Sequence, residues 1–131
     1  MTLKNKELGA NGEEIAVRFL KTRGYRILER NYRTRLGEID IIAEQGGDLV
    51  FIEVKTRSAV LFGSPLESVT VSKQRQLSKV ALEYVGKKGC LDRSARFDVV
   101  GIQAKALPAK QIPDFEIELV QNAFELCYRV E

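Results

Sequence analysis

The spacing of apolar positions changes several times along this chain, and each change marks an element. Over residues 7–23, Ile15, Ala16, Phe19 and Leu20 recur at helical spacing, and Gly24 stands where a C-terminal cap belongs. Tyr25–Tyr32 reads as a first short strand. Residues 37–44 and 49–56 are strand-like runs around Gly46-Gly47, a strong hairpin signal. A connection over 57–71 contains Gly63-Ser64-Pro65. From Ser72, a good N-cap, to Val85 the stripe Leu77, Val80, Ala81, Tyr84 and Val85 predicts a second helix. Phe97–Ile102 and Phe115–Val120 read as strands, with Pro108 and Pro113 between them. This order predicts one α/β domain over residues 1–131, a mixed central β-sheet flanked by α-helices.

The hairpin carries the most informative chemistry. With Gly46 and Gly47 as the turn, Ile39, Ile41 and Ala43 face Val54, Ile52 and Val50 on one apolar side. On the other side Asp40 faces Glu53, Glu38 faces Lys55 and Ile42 faces Phe51. Like charges across a ladder are destabilising, so a cation is expected between Asp40 and Glu53: Lys55, an arginine or a divalent ion. A charged strand face in solvent is the plainer alternative. Ile42 and Phe51 argue against it, because they share that face and call for a covering helix. On the first helix, Glu13 is followed at helical offsets by Ala16, Val17 and Leu20, whereas Glu14 is followed by Val17, Arg18 and Lys21. Glu13 is therefore the candidate ligand and Glu14 a surface charge. Gln74 shares a face with Leu77 and Ala81, and is read either as an inward amide or as a surface glutamine.

Composition narrows the chemistry. The chain has 131 residues, long enough for one core, and contains no histidine. Histidine-based triads, histidine-ligated zinc and histidine-base nucleases are thereby excluded. Cys90 and Cys127 cannot form a four-thiolate zinc site and are expected to be reduced. No apolar run approaches the ~18 residues of a membrane span, and the N-terminus carries no apolar signal segment. A cytoplasmic protein without membrane association is expected. Residues 1–35 hold nine basic and four acidic side chains, against two basic and five acidic over 110–131. That imbalance favours an anionic partner at the front of the chain, with a solvated helix face as the alternative.

Glu13 on a first helix, Asp40 at the start of a strand and Glu53-Val54-Lys55 after a hairpin together resemble the PD-(D/E)xK nuclease superfamily, with its restriction-endonuclease-like fold. The segments GANGEEIA, RNYRTRLGEIDIIA, FIEVKTR, FGSP, VTVSKQRQL and RFDV are similar to the YraN family of uncharacterised bacterial proteins, related in fold to archaeal Holliday-junction resolvases. The resemblance implies Asp40, Glu53 and Glu13 as ligands of Mg²⁺ or Mn²⁺. It implies Lys55 as the lysine that positions water and stabilises developing charge, and Gln74 as a glutamine near the site. Two departures stand out: Ile39 occupies the nominal proline position, and Ser78 follows Gln74 where a Gln-x-x-x-Tyr pattern would need tyrosine.

Arg30, Arg33 and Arg35 precede the Asp40 strand, Thr56 and Arg57 leave the Lys55 strand, and Lys73 opens the second helix. These form the expected rim for a nucleic-acid backbone, each with surface charge as the alternative role. Tyr32 is read as packing. The leading expectation is a metal-dependent endonuclease acting on DNA, selective for structure such as branches rather than for sequence. The resolvase likeness adds a homodimer. The alternatives are a nucleic-acid-binding module that cuts little alone, and an interaction protein with an internally salt-bridged acid cluster.

Overall fold

The computed structural model describes residues 5–57, 67, 69–105 and 114–126. The Gly63-Ser64-Pro65 connection, Pro108, Pro113 and Cys127 lie outside these residues. The elements run α1 (Asn5–Thr22), β1 (Arg26–Thr34), β2 (Gly37–Gln45), β3 (Asp48–Arg57), α2 (Val71–Lys87), β4 (Ala95–Lys105) and β5 (Asp114–Phe124). The five strands form one sheet in chain order, antiparallel except for the parallel pair β3–β4 that α2 connects. This mixed α/β architecture is consistent with a restriction-endonuclease-like fold.

Each helix supplies a core for the sheet. Ala16, Val17 and Leu20 of α1 pack on Ile41, Ala43, Val50, Ile52 and Val100. Leu77, Val80, Ala81, Tyr84 and Val85 of α2 pack with Ile42, Phe51 and Val99. The helix expected over Ile42 and Phe51 is therefore α2. The α1 stripe sits one position round from the reading above: Val17 is buried, while Phe19 is half-buried with the Arg23 guanidinium 4.8 Å from its ring centre. The N-cap of α2 is Thr70 rather than Ser72, because the Thr70 hydroxyl accepts from the Lys73 amide at 3.2 Å.

The hairpin register is the expected one over Ile41↔Ile52, Ile42↔Phe51 and Ala43↔Val50. The turn residues Gly46 and Gly47 both have positive φ, 60° and 87°, as a two-residue turn of this kind requires. Beyond Ile41↔Ile52 the two strands part. The first half of β2 continues to pair with β1 alone, and the second half of β3 with β4 alone. Regular alternation fails at the same point. Ile39 lies in the α2-side core with Ile42, not with Ile41 and Ala43 as strict alternation would place it. The neighbouring strand is irregular too: its register with β2 shifts between Ile27 and Glu29, and Asn31, between Arg30 and Tyr32, has φ 52°. Arg30 reaches Glu14 on α1, whereas Tyr32 packs edge-on against Tyr84 on α2. A strand-breaking residue on β1 thus accompanies a change of face on β2.

Candidate active site

The parting of β2 and β3 makes a fork, and the acids lie in it. Asp40 Oδ2 accepts a hydrogen bond from the Val54 amide at 2.8 Å, so a side chain takes a backbone donor of β3 where the ladder has stopped. Glu53 is only 5 % exposed, which matters because a charge so buried needs a partner. Its Oε2 receives no hydrogen bond; Lys73 Nζ stands 3.5 Å away, an ion pair without hydrogen-bonding geometry. Burial, reinforced by the adjoining Glu53 carboxyl, pushes Asp40 from 3.8 up to about 8, against the pull of the Val54 amide and the Lys73 charge.

Glu13, half-buried on α1, belongs to the same electrostatic neighbourhood. Burial raises its pKa first, then the charges of Asp40 and Glu38, while the Asn31 side chain and Arg30 draw it down. Glu14 makes surface pairs with Arg18 at 3.4 Å and Arg30 at 3.2 Å, the division between the two glutamates that helix offsets implied. The helix approaches β3 closely enough that a Cβ on Gly12 would collide with the Thr56 methyl. Thr56 is therefore a packing partner of α1. Among the described residues, no group of three or more acidic or cysteine side chains gathers closely enough to hold an ion alone. The structure brings Asp40 and Glu53 together and sets Glu13 beside them.

Lys55 follows on β3, half-buried beside Gly101 of β4, and makes no ion pair among the described residues. Glu38, its expected partner, pairs instead with Arg33 at 3.3 Å. The cation that answers the two acids is Lys73, and nothing local in the sequence marks it. The Gln74 amide donates to the Val69 carbonyl at 3.0 Å and so braces the entry to α2. Arg33 and Arg35 line a cleft of about 460 Å³ with Tyr32, Thr34, Glu83 and Lys87, while Arg57 ends β3. Asn31 was also missed; an asparagine inside a strand pattern is the signal that could have found it.

A buried and a half-buried carboxylate, with one oxygen lacking a hydrogen bond, can hold a hard cation through part of its coordination shell, leaving other positions to water and substrate. The residues present fit such an ion.

Residues 12–102 match the profile of the Uncharacterised protein family UPF0102. A UPF0102 protein of Geobacter metallireducens (strain ATCC 53774 / DSM 7210 / GS-15) is 50 % identical over 128 residues, covering 98 % of this chain and 100 % of that one. A UPF0102 protein of Geotalea uraniireducens (strain Rf4) is 52 % identical over 126 residues, covering 95 % and 94 %. Among solved structures, the Pyrococcus furiosus SfsA complex with Ca²⁺ aligns at 16 % identity and a TM-score of 0.37, over 90 % of this chain and 64 % of that one, a likeness too loose to carry an argument.

Proposed function

The chain belongs to the uncharacterised protein family UPF0102, and we propose that it is a divalent-metal-dependent nuclease of the PD-(D/E)xK type whose centre is the fork between β2 and β3. The pairing of a buried Glu53 with a half-buried Asp40 carries this reading. Burial and the adjoining Glu53 carboxyl disfavour the charged form of Asp40, and a hard cation removes that penalty. Mg²⁺ or Mn²⁺ suits an all-oxygen donor set of this size. When bound, such an ion supplies Lewis acidity towards a phosphodiester and a more acidic water. Asp40 and Glu53 would hold it, with Glu13 acting through water. Lys55, two positions beyond Glu53 on β3, would set an ammonium where negative charge grows on the phosphate. Arg30, Arg33, Arg35 and Arg57 would engage the substrate backbone, which favours recognition of nucleic-acid shape over base sequence. DNA is the substrate we propose.

One observation favours a second reading. The Lys73–Glu53 ion pair already neutralises part of the cluster, as a nucleic-acid-binding module without cutting activity would need. Calorimetric titration with Mn²⁺, with and without a four-way DNA junction, separates the two. Under the nuclease reading, wild type binds Mn²⁺ and Asp40→Asn does not. Lys55→Ala then lowers junction cleavage at least about 100-fold with junction affinity retained. If wild type takes up no Mn²⁺ under either condition, the binding module is the correct reading.

A further inference from the structure

The residue that completes the acid fork comes from outside it. Lys73 sits in the first turn of α2, and that turn is locked in place. Its amide donates to the Thr70 hydroxyl at 3.2 Å, the Gln74 amide donates to the Thr70 carbonyl at 2.8 Å, and the Gln74 side chain holds the Val69 carbonyl at 3.0 Å. The backbone of Lys73 is thus fixed beside the fork, while its side chain is 32 % exposed and keeps room to swing. At 3.5 Å from Glu53 Oε2 its ammonium lies beyond the 2.7–2.9 Å of a charge-assisted hydrogen bond. It neutralises the oxygen without saturating it. Carboxylate oxygens bind Mg²⁺ at about 2.0–2.1 Å. A divalent ion and an ammonium cannot both serve that one oxygen without mutual repulsion.

We propose that Lys73 is the resident counter-cation of Glu53 and the group a divalent ion must displace, so that metal loading turns its ammonium out of the fork towards the phosphate-facing rim. The inference rests on the metal-site reading above and adds the regulation of that site. Lys73 keeps the buried Glu53 charge partnered in the metal-free protein, and it lowers metal affinity by occupying the ligand.

The experiment compares Mn²⁺ titrations of wild type, Lys73→Gln, Lys73→Arg and Lys79→Gln. Lys79 is exposed on the same helix and serves as the control for general charge. The expected result is about tenfold tighter Mn²⁺ binding in Lys73→Gln, with Lys73→Arg and Lys79→Gln close to wild type. In parallel, amine-reactive footprinting of the wild-type protein, read by mass spectrometry, should show Lys73 labelling rise on Mn²⁺ addition while Lys79 labelling stays constant. This arm requires no variant to fold. Unchanged or weaker Mn²⁺ binding in Lys73→Gln, an equal gain in Lys79→Gln, or constant Lys73 labelling in a wild type that does bind Mn²⁺ would overturn the displacement while leaving the metal site standing. An absence of Mn²⁺ binding in every protein would overturn both.

Discussion

Asp40 is a carboxylate placed where a carboxylate is hard to keep charged. Burial and the adjoining Glu53 lift it from 3.8 to about 8. In the unfolded chain it titrates near the ordinary value, so between those limits the folded protein holds a proton that the unfolded chain has released. The resulting stability is fully present below about 4 and is lost as pH rises through about 8. One linked proton limits the slope to about 1.4 kcal/mol per pH unit. The thermal midpoint of the metal-free protein should therefore fall across that window, and Asp40→Asn should flatten the fall. Midpoint curves that stay parallel in the two proteins would reject the assignment. Mn²⁺, which takes the deprotonated form, should oppose the fall in wild type. At this scale the acids were legible and their cation was not. Two glycines set a hairpin register that holds as far as Ile41 and Ile52, and Asp40 and Glu53 come together just past it, where the ladder stops and Asp40 takes the Val54 amide. Lys73 arrives through the fold, by way of a connection and a helix cap, and no local pattern announces such a contact.

Elements are placed by small residues as much as by apolar stripes. The α2 stripe matched its helix at every expected position because one face of that helix meets one core. The start of α2 was misread because Thr70 and Ser72 are both good caps, and only the hydroxyl's partner decides between them. The change of face on β2 was hidden because it falls where the β2–β3 ladder stops and beside the positive-φ Asn31 of another strand, and neither is visible in the local pattern of β2. Gly12 is the small residue with the clearest consequence. It lets α1, and Glu13 with it, sit against β3 where a Cβ would run into the Thr56 methyl. Gly12→Ala should destabilise the protein by about 1–3 kcal/mol through overpacking, and should weaken Mn²⁺ binding by shifting Glu13. Thr56→Ser deletes the offending methyl, so Gly12→Ala combined with Thr56→Ser should recover most of both losses in denaturant unfolding and calorimetry. A double variant no more stable than Gly12→Ala alone would show that the contact is not what limits the helix's approach.

Across the whole sheet, two neighbouring buried acids are treated in opposite ways, and the contrast separates what holds the molecule together from what it uses. Ile52 and Glu53 on β3 stand beside Asp98 and Val99 on β4, so Glu53 and Asp98 are one register step apart. Asp98 is fully partnered: it accepts from the Tyr25 hydroxyl at 2.7 Å, the Arg96 Nε at 3.1 Å and the Asn122 amide at 2.9 Å. Arg96 extends the network to Asp48 at 2.7 Å and Gln45 at 2.6 Å, tying β4 to the hairpin turn. Glu53 Oε2, by contrast, receives no hydrogen bond and has the Lys73 ammonium 3.5 Å away. If Asp98 is structural and Glu53 functional, their removal must act in opposite directions. Asp98→Ala strands Arg96, Tyr25 and the Asn122 amide, and should cost about 3–5 kcal/mol. Glu53→Gln removes the like charge beside Asp40 and leaves a partly exposed lysine free to meet solvent. It should be neutral or stabilising in denaturant unfolding of the metal-free protein, and should abolish Mn²⁺ binding. A loss of stability in Glu53→Gln as large as that in Asp98→Ala would make the fork a structural ion pair, and the sheet would then carry two cores of the same kind rather than one core and one site.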